Sequence, residues 1–228
     1  MGRSRKYDPK IIFLACLCCL YFLALLKFYL CSYYVPDTGL YFSFACQGKK
    51  AQDGFSSLFI FLSGFISRMP RILNICCLIL LTMSIFNIGY FYIKTFSAGI
   101  KSDLVVLGVL FGSSVWYYFY GKLFYDFPFA VFSYSLLLLA LGRTVHRYRN
   151  GTAYERQWFF LCLLMGFTIS WKPYYIFSAA GLGLLMLADQ ECRALLWKLL
   201  KRTVNIAVSL SGAAIGYAAG NFNLIFFP

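Results

Sequence analysis

Charged residues at the edges of apolar runs are the residues of this sequence that could carry out chemistry. Asp37 follows the first apolar run, Asp126 precedes a later one, and Lys172 lies in a short turn before a proline. Ionisable groups at the surface of a bilayer are costly, and they are usually paired or face a cavity. A carboxylate there could take a proton from an acceptor hydroxyl while a cation holds a phosphate. This combination suits a lipid-linked phosphate substrate.

Each of these charges also has a purely structural interpretation. Asp126 can cap a helix whose first turn contains Pro128, and Asp37 and Lys172 can be interfacial anchors. From the residues alone, both interpretations stay open. The sequence contains no phosphate-binding glycine loop and no zinc-protease motif, and its single histidine excludes a histidine-based metal cluster. No cofactor is therefore indicated, and a divalent metal stays an open alternative.

Composition predicts an integral membrane protein built from helices. Of the 228 residues, 61% are hydrophobic and 13% are charged, whereas soluble domains carry about 25% charged residues. Several apolar runs approach the roughly 20 residues that cross a bilayer as a helix, and they lack the alternation of barrel strands. The net charge of +13 is spread over short loops. It forms no single basic patch, which argues against nucleic-acid binding.

The apolar runs predict an all-α, polytopic protein with about seven transmembrane helices in one membrane domain, 1–228. The candidate spans are 11–33, 72–93, 104–120, 127–142, 157–170, 174–188 and 203–220. Between the first two, residues 34–71 form a predicted non-cytoplasmic loop. Within that loop, the apolar segment 55–67 is too short to cross and carries a stripe of serines, which predicts a helix in the interface plane. The segment between the last two spans is predicted to be a basic cytoplasmic loop.

Basic residues define the predicted orientation. Most of the 21 lysines and arginines lie before the first span or in the loops after the second, fourth and sixth spans. Loops rich in lysine and arginine are typically cytoplasmic. The first of these segments precedes the first span, so the N-terminus is predicted to be cytoplasmic. Asp37, Asp126 and Lys172 then lie on the extracytoplasmic side, together with Arg71 and Lys122. The glycosylation sequon at 150–152 falls in the most basic loop and is interpreted as a chance match.

Four motifs, taken in order, resemble those of integral-membrane glycosyltransferases with the GT-C fold, in the aminoarabinose transferase and protein mannosyltransferase branch. The motifs are PDTGLY at 36–41, RMPR at 68–71, DFPF at 126–129 and GFTISWKP at 166–173. The resemblance covers about Ile11 to Leu187. The family usually carries a second acid beside the first, where this sequence has Thr38. The family is also longer, so the chain is expected to be incomplete relative to it.

The resemblance implies transfer of a sugar from a polyprenyl-phosphate donor to a lipid, glycan or protein acceptor. It places this reaction at the extracytoplasmic face of a bacterial inner or plasma membrane. It implies that Asp37 is the general base and that Lys172 contacts the donor phosphate. Arg71 and Lys122 are further candidates for that contact, and Asp126 is a site-shaping acid.

The expected partners are the lipid-linked sugar phosphate and membrane lipids, and a partner chain that supplies missing spans is an open alternative. A transporter or flippase for a lipid-linked sugar is an alternative function. A non-catalytic or truncated membrane subunit is another.

Overall fold

A computed structural model describes residues 8–30, 70–96, 99–123, 126–171 and 176–221. These residues fold into eight α-helices, and no strand occurs among them. The helices are α1 (Pro9–Leu30), α2 (Pro70–Thr95), α3 (Ile100–Leu123), α4 (Asp126–Arg149), α5 (Glu155–Trp171), α6 (Ile176–Ala188), α7 (Gln190–Leu200) and α8 (Thr203–Gly220). The predicted all-α class is confirmed for this part of the chain. The interfacial helix predicted at 55–67 lies outside the described residues.

Four of the described helices are long and apolar enough to cross a membrane, which is compatible with an integral membrane protein. Their apolar segments are Pro9–Lys27, Asn74–Thr95, Phe127–Arg149 and Thr203–Gly220, and they overlap the first, second, fourth and seventh predicted spans. Helix α5 has 17 residues and the described α6 has 13, fewer than the roughly 20 of a full crossing. Large apolar side chains are exposed on several helices, for example Leu23 and Val109.

Local signals set the first helix boundary and the end of α4. The Asp8 carboxylate accepts a hydrogen bond from the Lys10 amide at 3.1 Å. Pro9 opens α1, where its missing N–H costs nothing. After α4, Gly151 has φ of 63° and its amide donates to the Tyr148 carbonyl at 3.1 Å. Glycine adopts this left-handed conformation without steric cost, so it stops the helix cleanly.

Helices α1 and α2 are antiparallel, and α1 and α3 are parallel. The Asn74 side-chain amide, at the start of α2, donates to the Tyr29 carbonyl at the end of α1 across 3.0 Å. Lys10 at the start of α1 pairs with Asp103 at the start of α3. The start of α1, the end of α2 and the start of α3 therefore lie at one end of the bundle.

Helices α2 and α4 are parallel. The Asn87 side-chain amide donates to the Ser135 hydroxyl at 3.0 Å, and further along both helices Gly142 packs against Phe91. The end of α4 therefore joins the end of α2, and α5 starts beside it after a short turn. We call this the basic end of the bundle. It contains the cations Lys10, Lys94, Arg143, Arg147, Arg149 and Arg156.

Helices α5 and α8 pack against each other in parallel through small residues. A Cβ atom at Gly212 would lie 3.1 Å from the Phe159 carbonyl oxygen. One at Gly216 would overlap the Leu163 carbonyl, and one at Gly220 would overlap the Ser170 side chain. The contacts therefore advance in the same direction along both helices. Glycines recur at every fourth position of α8, at 212, 216 and 220, and all three are buried. This spacing lets two helix backbones approach closely. Because α5 and α8 run in the same direction, α6 must return the chain between them.

Residues 190–200 form helix α7, where the sequence analysis expected a loop. The Asp189 carboxylate caps this helix by accepting the Cys192 amide hydrogen at 2.9 Å. Cys192, Leu195 and Leu199 are buried at helical spacing, so one face of α7 packs on the bundle. The basic residues of this segment led to the prediction of a solvated loop, because they separate the apolar residues of its stripe in the sequence. Helix α7 closes the largest hydrophobic core, which it shares with α4, α5 and α6.

Candidate functional site

Three of the five sequence-predicted site residues lie at helix termini opposite the basic end of the bundle. Asp37 and Lys172 lie outside the described residues. Arg71 lies in the first turn of α2, Lys122 in the last turn of α3, and Asp126 at the start of α4, and their side chains lie outside the described part of the molecule. Since α2 and α4 begin where α3 ends, these three backbone positions share one end. The roles of all five residues remain predictions.

An open cavity of about 1210 Å³ lies at the basic end, between α2, α4 and α5. Its lining includes Lys94 from α2, Arg143, Arg147 and Arg149 from α4, and Arg156 from α5. No carboxylate is among the described residues that line it. The sequence analysis missed this cavity because it used these cations only as markers of orientation.

Two of the cavity's cations are neutralised by acids at its rim. Lys94 Nζ lies 3.3 Å from the Asp8 carboxylate, and Arg149 pairs with Glu191 of α7. In contrast, across the ranges that the structure describes, neither Arg143 nor Arg156 forms an ion pair. Arg147 donates to a backbone carbonyl, that of Ala153, at 3.3 Å. The cavity therefore retains positive charge on three arginines.

The chemistry of these groups favours binding of an anion over catalysis. A guanidinium group stays charged and presents a planar fork of donors that matches a phosphate or carboxylate. A proton-abstracting carboxylate is absent from the described lining. Gln157 Oε1, which is buried beside these arginines, has no hydrogen-bond partner among the described atoms. The cavity thus offers polar groups that a bound molecule could satisfy.

Metal and thiol chemistry find no support in the described residues. No three histidine, cysteine, aspartate or glutamate side chains of the described ranges are grouped as metal ligands. Burial, together with the hydrogen bond and charge of Asp189, raises the pKa of the Cys192 thiol to about 12. This thiol is therefore protonated at neutral pH, and a protonated thiol is neither a nucleophile nor a metal ligand.

No family model, no curated protein and no solved structure matches the chain. The likeness to GT-C glycosyltransferases therefore stays a prediction from the four sequence motifs. The proposed function therefore depends on those motifs and on the helix termini that contain Arg71, Lys122 and Asp126.

Proposed function

We propose that this protein is a membrane enzyme of the GT-C type that transfers a sugar from a polyprenyl-phosphate donor. The acceptor is a lipid, a glycan or a protein. One observation carries the proposal: the helix termini that contain Arg71, Lys122 and Asp126 share the end opposite the basic end. In the proposal these termini lie at one membrane surface, where Arg71 or Lys122 holds the donor phosphate and Asp126 shapes the site.

Seven transmembrane helices and a cytoplasmic N-terminus are part of this proposal. The alternating directions of α1 to α4 support it, as does the parallel pair α5 and α8, which requires α6 to cross back. The basic end would then face the cytoplasm, in agreement with the usual distribution of lysine and arginine. The proposed site would face the extracytoplasmic side of a bacterial inner or plasma membrane.

In the proposed reaction the acceptor hydroxyl attacks the anomeric carbon of the donor sugar. Asp37 takes the hydroxyl proton as the bond to the sugar forms. The bond from the sugar to the polyprenyl phosphate breaks, and the phosphate leaves with the electron pair. Lys172, with Arg71 or Lys122, holds the negative charge that develops on the leaving phosphate. Asp126 shapes the site.

The experiment that tests this proposal measures transfer of radiolabel from a panel of polyprenyl-phosphate sugars by the purified protein. Asp37→Asn is expected to lower the transfer rate by at least about 100-fold, the usual contribution of a general base. Asp53→Asn, an acid in the same predicted loop but outside the motifs, is the matched control and should retain activity. Undiminished transfer by Asp37→Asn would contradict the assigned base. Absence of transfer by the wild-type chain from every donor would contradict the function.

A separate experiment tests the proposed orientation. Alkaline phosphatase fused after Leu123 should be active, because that position would be extracytoplasmic. The same reporter fused after Gly151 should be inactive, and a fluorescent protein fused there should fold. The reverse pattern would overturn the orientation and move the proposed site to the cytoplasmic face.

A flippase for a lipid-linked sugar is the second candidate. The cationic cavity at the basic end favours it, because a carrier needs phosphate-binding groups at both membrane surfaces. Movement of a labelled lipid-linked sugar across proteoliposomes without sugar transfer would favour this function. Transfer restored only after addition of a co-purifying chain would instead identify a partner that supplies missing spans.

A further inference from the structure

We infer that the cavity at the basic end binds a membrane lipid through its phosphate group. The phosphate would lie between Arg143 and Arg156, and the lipid chains would extend along the apolar walls. This site is at the opposite end of the bundle from the proposed sugar-transfer site. It does not depend on that activity.

Two of the cavity walls change from apolar to cationic toward the basic end. On α2 the lining residues Phe86, Tyr90 and Lys94 recur every four positions, so they lie one above another on the same face. On α5, Phe160 lies one turn deeper than Arg156. Both walls therefore present aromatic surface at depth and a positive charge at the rim.

The third wall, on α4, shows the same change. Leu136, Leu139, Arg143 and Arg147 line the cavity at spacings of three and four residues, which again defines one helix face. Three helices therefore carry the same gradient in the same direction. A molecule that matches it has an anionic group at one end and an apolar body at the other.

The depth of the apolar part favours a lipid over a soluble anion. The segments Asn74–Thr95 and Phe127–Arg149, which form two of the walls, are long and apolar enough to cross a membrane. At that depth the molecules in contact with an open groove are lipid chains. Phe160 retains 51% of its accessible surface although it lines the cavity, so a bound chain could still cover it.

The charge at the rim favours a phosphate. Arg143 and Arg156 have no ion-pair partner among the described residues, and both are exposed. Guanidinium groups bind phosphate oxygens with paired hydrogen bonds. The cavity volume of about 1210 Å³ is far larger than one inorganic phosphate, and it exceeds the roughly 300–1,000 Å³ of typical small-molecule pockets. A headgroup with the first part of its chains fills such a space better than an ion does.

Two kinds of lipid carry this chemistry: a bilayer phospholipid with a phosphodiester and a polyprenyl phosphate with a monoester. Native mass spectrometry of the full chain, delipidated in a neutral detergent, can compare them. The probes are phosphatidylglycerol and a polyprenyl monophosphate. The net-neutral reference is zwitterionic phosphatidylcholine, whose choline offsets the charge of its phosphate. Tighter binding of either anionic lipid than of phosphatidylcholine supports the inference and identifies the source.

The variant R143Q/R156Q tests whether the two arginines form the site. It is expected to weaken binding of the anionic lipid by roughly 10- to 30-fold, because each of the two lost charges weakens binding by roughly three- to fivefold. The matched control R193Q/K201Q removes the same charge from exposed residues outside the cavity and should bind nearly as wild type does. R143K/R156K keeps the charge but removes the guanidinium forks, so its binding should lie between that of R143Q/R156Q and that of wild type. Equal weakening in R193Q/K201Q would overturn the site, because it would show diffuse attraction to a basic surface.

The apolar walls are tested with Phe160→Ser and with soluble glycerol 3-phosphate. Phe160→Ser should weaken lipid binding and leave the thermal unfolding midpoint in lipid-free detergent close to that of wild type, since Phe160 is half exposed. Glycerol 3-phosphate should compete poorly with the lipid. Competition as strong as that of phosphatidylglycerol would overturn the inference in favour of a soluble anion.

Discussion

Lys10 on α1 and Asp103 on α3 form an ion pair between residues 93 positions apart in the chain. The Asp103 side chain is 7% exposed, and that of Lys10 is 36% exposed. Burying a carboxylate costs free energy unless a cation and hydrogen bonds compensate it. The pair therefore stabilises the arrangement of α1 and α3 in which Lys10 lies beside Asp103, relative to arrangements that separate the two residues.

Lys10→Met is expected to destabilise the protein by about 1–3 kcal/mol. It removes the Lys10 ammonium from the buried Asp103 carboxylate, and the partial exposure of Lys10 keeps the loss below that of a fully buried pair. Unfolding in mixed detergent micelles measures the change. Lys101→Met, which removes an exposed charge from the same end of α3, should have little effect. A double variant K10M/D103N should recover part of the loss, and failure to do so would show that the two side chains are not coupled.

Gly216→Val is expected to separate α5 from α8. A side chain there meets the Leu163 carbonyl, which is backbone and cannot move aside, so the two helices must shift at a cost of about 1–3 kcal/mol. A cysteine pair across the α5–α8 interface would report the shift through slower disulfide formation. Gly181→Val on α6 is the matched control, because nothing lies within 4 Å of its added Cβ. Equal stability of both variants would contradict the close packing.

Asp189→Ala is expected to loosen α7. The substitution removes the acceptor for the Glu191 and Cys192 amides, which lie 3.1 and 2.9 Å from Asp189 Oδ1, and loss of such a cap costs about 1 kcal/mol. Hydrogen exchange in the first turn of α7 should therefore accelerate. Gln190→Ala, beside the cap and exposed, should leave exchange unchanged.

The Cys192 thiol is expected to keep its proton far into the alkaline range. Its pKa is raised from 9.0 to about 12 by burial and by Asp189. In the folded protein the rate of alkylation at Cys192 should therefore still rise tenfold per pH unit at pH 10. In the denatured chain it should level off near pH 9. Peptide-resolved mass spectrometry measures both rates, and a plateau near pH 9 in the folded protein would contradict the shift.

The same shift has a consequence for stability. A raised pKa means that the folded state holds the thiol proton more tightly than the unfolded state does. The stabilisation is complete below about pH 9 and is lost as pH rises from there toward about 12. Subtracting the pH profile of Cys192→Ala, which lacks the thiol, isolates this contribution from other titrating groups.

Most of the helices could be predicted from apolar composition, because an apolar run that approaches about 20 residues predicts a membrane span. The span predicted at 72–93 lies within α2, and Pro128 falls in the first turn of α4 as expected. The helix at 190–200 was missed because its apolar stripe, Cys192, Leu195 and Leu199, is diluted by basic residues. That stripe was readable from its spacing.

Contacts between helices were harder to predict than the helices themselves. The glycines at 212, 216 and 220 indicate that some backbone approaches α8, but their spacing does not identify α5 as that backbone. The cationic cavity forms where three helices converge, and no local sequence pattern predicts that convergence. However, the change from Phe86 and Tyr90 to Lys94 along one face of α2 could have indicated a surface that is apolar at depth and cationic at one end. For the proposed sugar-transfer site, the sequence provides the four motifs, and the roles of the residues in them remain predictions.

The parallel contact of α5 with α8 also affects how the protein is made. Leu163 is synthesised about 50 residues before Gly216, which packs against its carbonyl. At about 5–20 residues per second, α5 waits roughly 3–10 seconds with this backbone groove uncovered. During that interval another helix with small residues could occupy the groove. Correct assembly of the pair therefore requires that α6 and α7 be made, and that α8 reach the groove, before another helix occupies it.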